Sequence, residues 1–255
     1  MRIRHFACLR KRPSRRQARL LRVLARLLMR LGLGLLVMFF NVAAIAAETS
    51  VCYGTTSDGR LEGGVALPQE GVNFVSYSMI GRLAGRTYVH NKVRDIVVAA
   101  YAGLEKEKPG VVYKYAETGF SDGGPFKPHK THQNGSSVDF MVPVVDQNGT
   151  SVHLPTNIFN KFGYSIEFDS VGNYGEYNID YPAMAAHIVQ LHREAASRGL
   201  HLWRVIFDPK MQKYLFETEY AEYLRANIKF SDKPSWVRHD EHYHVDFSIP
   251  CASER

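Results

Sequence analysis

The chain has 255 residues, 45% hydrophobic, 22% charged and 12% aromatic, a globular profile that excludes the disordered and collagen-like classes. Its formal charge of +7 suggests an acidic partner, yet eleven of the 32 Lys and Arg lie between Arg2 and Arg30 and no Asp or Glu precedes Glu48. Beyond residue 47 the remaining 21 basic residues face 25 acidic ones, a formal −4, and a nucleic-acid partner is excluded with the loss of its main support.

Residues 1–47 run from a basic stretch, Arg2 to Arg30, through an apolar run, Leu31 to Phe40, to the small residues Ala43-Ala44-Ile45-Ala46-Ala47. That order is the order of an export signal, with cleavage expected after Ala46 or Ala47. The alternative is an uncleaved membrane anchor, for which the apolar run is short against the ~20 residues a spanning helix needs. Membrane contact is then expected only through an uncleaved leader. Cys8 lies in the leader, leaving Cys52 and Cys251 at the two ends of the mature chain. They are either a bridge closing a loop of about 200 residues or two unrelated thiols. Two Cys cannot build a zinc site alone, so a metal here would use His and carboxylate.

Residues 48–255 suffice for one domain, and no internal repeat or linker divides them. Val93, Ile96, Val97, Ala100 and Leu104 predict a helix over Asn91 to Leu104, stopped by a Lys-Glu-Lys-Pro-Gly run. Val111 to Ala116 reads as a short strand, and Thr118 to Asn134, rich in Gly, Pro, Lys and His, as a long surface loop of functional type. The aromatics Tyr113, Tyr115, Phe120 and Phe126 in or beside it either line a substrate groove, pack in the core or are scattered on the surface. Ser137 to Val142 reads as a strand, and Asn148-Gly149 as the turn of a hairpin reaching Val152 and Leu154. A second helix is expected over Ala183 to Ala196, a buried strand over Leu202 to Phe207, and a helix capped by Asp208-Pro209 through about Leu215. The last strand spans about His242 to Ile249. Without strict βαβ alternation, the fold class is α+β: one domain with a small antiparallel sheet flanked by helices.

Five of the eleven His fall in two short segments, His129-Lys130-Thr131-His132-Gln133-Asn134-Gly135-Ser136-Ser137-Val138-Asp139 and His239-Asp240-Glu241-His242-Tyr243-His244-Val245-Asp246. Strand alternation places His242, His244 and Asp246 on one face and Tyr243, Val245, Phe247 and Ile249 on the other. Gly135 lets the chain turn between His132 and Asp139. Two imidazoles and one carboxylate from separate segments make a three-ligand zinc site, with a fourth position left for water. His90, His153, His187, His192 and His201 have no patterned partner and read as structural or surface residues.

The paired motif, His129-x-x-His132-x-x-Gly135-x-x-x-Asp139 with His242-x-His244, resembles the zinc-site signature of lysostaphin-type, D-alanyl-D-alanine-cleaving and penicillin-insensitive murein endopeptidases. Pro128 to Gly135 and His239 to His244 are most similar to the last group. The resemblance implies that His132, Asp139 and His244 hold Zn2+, with His129 a further His close to the metal. It implies that His242, with His239 nearby, handles protons or stabilises the oxyanion. Glu241 stands where some related D-Ala-D-Ala peptidases carry a Glu, but strand alternation turns it away from His244 unless a bulge intervenes. The implied fold is a small antiparallel sheet with helices. The implied activity is hydrolysis of peptidoglycan cross-links, at the D-alanyl to meso-diaminopimelyl bond, in the periplasm and without a serine for β-lactams to acylate. A catalytically silent murein-binding protein is the alternative. An iron oxygenase shares the ligand set, but its His-x-Asp spacing differs from the interval between His132 and Asp139. Nothing in the sequence sets an oligomeric state.

Overall fold

The structure, a computed structural model, describes residues 49–233 and 237–253, so the leader, its cleavage point and the alternative anchor lie outside the described residues. The first elements are β1 (Val51–Gly54), β2 (Gly59–Glu62), β3 (Val65–Ala66), β4 (Phe74–Ser76), α1 (Met79–Leu83), β5 (Tyr88–Val89), α2 (Asn91–Glu107) and β6 (Tyr113–Tyr115). There follow β7 (Ser137–Met141), β8 (Val144–Val145), β9 (Ser151–Val152), two 3-10 turns over Ile158–Gly163, β10 (Asn173–Tyr174) and β11 (Tyr177–Ile179). The chain ends with α3 (Tyr181–Ala196), β12 (His201–Ile206), α4 (Gln212–Leu215), α5 (Ala221–Asn227) and β13 (His242–Ser248). All belong to one unit, residues 48–255, and the class is α+β, as expected.

The main sheet has the order β12-β13-β7-β6-β4. β13 is antiparallel to both neighbours and sets His244 opposite Asp139 on β7 and opposite Ile206 on β12. The edge pair β4–β6 is parallel. Val138, Phe140, Tyr243, Val245 and Phe247, all at most 3% exposed, form the apolar face, against which α3 lays His187. The alternation read from the sequence therefore holds along β7 and β13, because a strand with one apolar face tolerates a single register.

The helices follow their local signals. The apolar stripe of α2 is buried over its whole length, and the helix continues to Glu107, three residues past the expected Leu104. Asp180 caps α3 by accepting from Ala183 N at 2.9 Å, and Pro182 sits in the first turn, so this helix starts two residues before Ala183. The expected hairpin around Asn148-Gly149 is β8–β9.

Two expectations need correction. The Asp208 carboxylate accepts from Lys210 N at 2.8 Å and so closes a turn instead of capping a helix, which begins only at Gln212. Residues 118–134 are not a surface loop throughout: Thr118, Phe126, His132 and Asn134 are buried. Their backbone is tied down by Leu61 N to Asp122 O, Tyr88 N to Gly119 O and Gln133 N to Thr56 O. Gly, Pro and Lys predicted irregular backbone, but not that β2 and β5 would close over it.

Cys52 and Cys251 form a disulfide across a sequence separation of 199, with Cα atoms 4.7 Å apart. In the chain-entropy account a loop of that length is worth about 5 kcal/mol. Among the described residues no helix is long and apolar enough to cross a membrane.

Candidate metal centre

Asp139 is the hub of the polar face of the sheet. It is fully buried, and one ligand atom each from His129, His132 and Asp139 lie within 4.8 Å of one another. Gly135 makes the turn between them at φ +75°, where a Cβ would meet His90 N at 2.8 Å. His132 Nδ1 donates to the Thr118 carbonyl at 3.0 Å, so its Nε2 carries the lone pair. That Nε2 is buried without a hydrogen bond and stands 3.2 Å from Asp139 Oδ1, itself an acceptor. Burial, only partly opposed by Asp139, lowers the pKa of His132 and keeps the ring neutral. Burial would raise the Asp139 carboxyl, yet His132 and His242 hold it well below the carboxylate range.

β13 brings the second set. His244 Nδ1 lies 2.8 Å from Asp139 Oδ1, and its Nε2 lies 2.7 Å from Asp246 Oδ1. Burial works against a charged ring, but Asp246 and Asp139 outweigh it and raise the pKa of His244. His242 Nε2 is 3.7 Å from Asp139 Oδ2 and its Nδ1 2.9 Å from Glu241 Oε1. Burial lowers His242 to about 4 and lifts Glu241 to about 7. His239 donates from Nδ1 to the Val237 carbonyl at 2.8 Å, and its ring centre is 4.6 Å from that of His242. All six site residues read from the sequence thus meet in one place. Glu241 stands just before the strand and serves His242, not His244, in line with the expected alternation. The unpatterned histidines lie elsewhere; His90, for example, caps α2.

The partners that hold these groups were not legible in the motifs. Glu117, two residues after β6, accepts from His129 Nε2 at 2.7 Å, from Arg86 Nη2 at 2.9 Å and from Tyr77 Oη at 2.9 Å. Burial opposes its ionisation, but His129 and Arg86 bring its carboxyl down to about 2. Tyr164 donates to Asp139 Oδ2 at 2.9 Å and accepts from Glu117 N at 3.1 Å. Phe126 supports the rings of His129 and His132 with centroids 5.6 Å away, while Tyr113 and Tyr115 are core residues. Among the described residues, the non-glycine positions with left-handed φ are His132 (69°), Lys161 (50°) and Phe162 (58°). All three belong to the site or to the turn that delivers Tyr164, where packing sustains the strain.

A lone pair on a buried neutral imidazole facing a buried carboxylate calls for a cation between them, so the donor set fits a metal ion. His129 and His244 each commit Nε2 to a carboxylate, Glu117 and Asp246, and turn Nδ1 toward Asp139. Such outer carboxylates orient metal-binding histidines in general. A cleft of about 210 Å³ opens on the cluster, lined by His129, Arg204, Ile206, His239, His242 and His244 among others. No curated protein matches the chain. The family profile of penicillin-insensitive murein endopeptidases matches residues 52–255, which takes in both histidine segments and all but the first three described residues, and the chain belongs to that family of peptidoglycan hydrolases.

Proposed function

We propose that the protein is a zinc-dependent endopeptidase that cuts the D-alanyl to meso-diaminopimelyl cross-link of peptidoglycan. We further propose that residues 1–47 export it to the periplasm. The observation that carries the metal reading is the buried, unpartnered His132 Nε2, 3.2 Å from Asp139 Oδ1. His132, Asp139 and His244 would hold the ion, with His129 within reach through Nδ1. Bound zinc supplies Lewis-acid polarisation of a carbonyl and a water acidified to a pKa of about 7.

The chain's own residues supply the rest. Glu241 accepts from His242 Nδ1–H and leaves the lone pair on Nε2, facing the cluster. His242, neutral because burial lowers it to about 4, takes the proton of the attacking water at Nε2. It then returns that proton to the leaving amine, and Glu241 stabilises the ring while it is charged. His239, whose Nδ1 is fixed by Val237, lines the cleft beside His242 and orients water or substrate. No serine or cysteine acts as nucleophile, which accounts for indifference to β-lactams.

The test is incubation of residues 48–255 with cross-linked muropeptides, with and without a zinc chelator, alongside His132→Ala and His244→Ala. Conversion of dimers to monomers only with metal and both histidines supports the reading, and product masses identify the bond. Murein binding without cleavage by the zinc-loaded wild type would transfer the site to a silent binding protein.

A further inference from the structure

We infer that Arg204 is the substrate-binding residue that pairs with the carboxylate next to the scissile nitrogen; this rests on the cross-link cleavage proposed above. Arg204 lies on β12 opposite Asp246, beside a bulge that leaves Trp203 without a partner on β13. A bulge re-aims neighbouring side chains, a recurrent device beside active sites. Here the Arg204 guanidinium carbon lies 4.6 Å from the Trp203 ring centre, while its Nε donates to Asp246 Oδ2 at 2.7 Å. Asp246 is itself fixed, accepting from Ser137 Oγ at 2.6 Å and meeting His244 Nε2 at 2.7 Å. The guanidinium is thus held on one edge and one face before any ligand arrives. Its two terminal nitrogens carry no hydrogen bond among the described residues, and the residue lines the cleft above His242 and His244.

The chemistry of the substrate selects the ligand. In the proposed cross-link the scissile nitrogen is borne by a carbon that also bears a free carboxylate. A substrate whose scissile carbonyl sits at the Asp139 cluster therefore brings that carboxylate into the same cleft. Glu117, Asp139 and Asp246 are buried carboxylates that contact the cleft-lining His129 and His244, so an added anion needs a cationic partner to enter. A guanidinium with free terminal nitrogens offers the paired donors that match a carboxylate. Lys130 lines the cleft as well, but a single ammonium provides a point charge without that fork.

The experiment compares kcat/KM for a cross-linked muropeptide and for the same compound with that carboxyl converted to carboxamide. Wild type, Arg204→Gln, Arg204→Lys and Lys130→Gln are tested, each with its zinc content measured. Loss of a charge-assisted pair predicts that the wild type prefers the carboxylate by about 10- to 100-fold. Arg204→Gln should bring that ratio close to one by losing far more activity on the carboxylate form than on the carboxamide, Arg204→Lys should keep part of it, and Lys130→Gln should retain it. If Arg204 only supports Asp246, Arg204→Gln loses equally on both substrates, the ratio stays, and the inference is overturned. A wild-type ratio near one, or its collapse in Lys130→Gln alone, overturns it as well, whatever the folding of the other variants. Failure of the wild type to cut either compound counts instead against the proposed cleavage itself.

Discussion

The two faces of the central sheet bury histidines equally well, and His244 on one and His187 on the other are treated in opposite ways. On one face His244 is 2% exposed between Asp139 and Asp246, and its pKa is raised; on the other His187 is fully buried among Tyr101, Tyr113, Phe140 and Tyr243, and burial lowers it to about 3. Each face also carries an imidazole nitrogen without a hydrogen bond, His132 Nε2 on the first and His187 Nε2 on the second. An orphaned nitrogen by itself therefore does not mark a metal position. The difference is the carboxylate across from His132. Burial and a lone pair are common to both faces, and only the charges placed around them turn one face into a candidate metal centre and leave the other a core.

The largest effect is expected where that difference is removed. Asp139→Asn takes the hub charge away while keeping the shape, so zinc should no longer co-purify and cross-link hydrolysis should fall below detection. Metal analysis and muropeptide assays on the same preparation check both. Retained zinc at full stoichiometry would show that the imidazoles suffice.

A smaller loss is expected one step out. Asp246→Asn leaves His244 in place but weakens its hold on Nε2, and an outer carboxylate of this kind is typically worth about 10- to 100-fold in metal affinity or activity. Competition with a chromogenic chelator reads the affinity directly. Smaller again is Tyr164→Phe, which deletes the hydroxyl that donates to Asp139 and accepts from Glu117. At roughly 1 kcal/mol for a hydrogen bond, a drop of about fivefold in activity is expected, with the fold intact. A loss as deep as that of Asp139→Asn would mean that Tyr164 acts on substrate.

The smallest effect concerns the apolar face and stability alone. His187 has a folded pKa of about 3 against ~6.5 in an unfolded chain. Between those values the unfolded state binds more protons, so this contribution is complete above pH 6.5 and is lost as pH falls toward 3. The slope is at most about 1.4 kcal/mol per pH unit. Urea unfolding of wild type and His187→Phe between pH 7 and 5 should show a flatter dependence in the variant. Parallel curves would assign the acid sensitivity to other groups.

Much of the fold was legible because it depends on short-range rules. The apolar stripes of α2 and α3 and the alternation along β7 and β13 each express a helix or strand period that neighbouring residues carry together. The six candidate site residues were legible for a related reason: each half of the motif lies within one short stretch of chain, and the resemblance joined the halves. Glu117, Tyr164 and Arg204 were not, since each lies on a segment with no motif and reaches the site only through contacts far away in sequence. The burial of residues 118–134 was hidden for the same reason.

By itself, then, the sequence determined which residues are candidates to bind a metal and which faces of β7 and β13 Asp139, His242 and His244 occupy, because side-chain chemistry and strand period are local properties. Tertiary structure alone decided that His132 Nε2 faces Asp139 Oδ1 at 3.2 Å. It also decided that Glu117 and Asp246 orient His129 and His244, and that Arg204 overlooks the cleft with its terminal nitrogens unpaired among the described residues. Hydrogen bonding and electrostatics act over a few ångströms in space, across separations of more than a hundred residues in the chain, and no reading of spacing along one segment contains them.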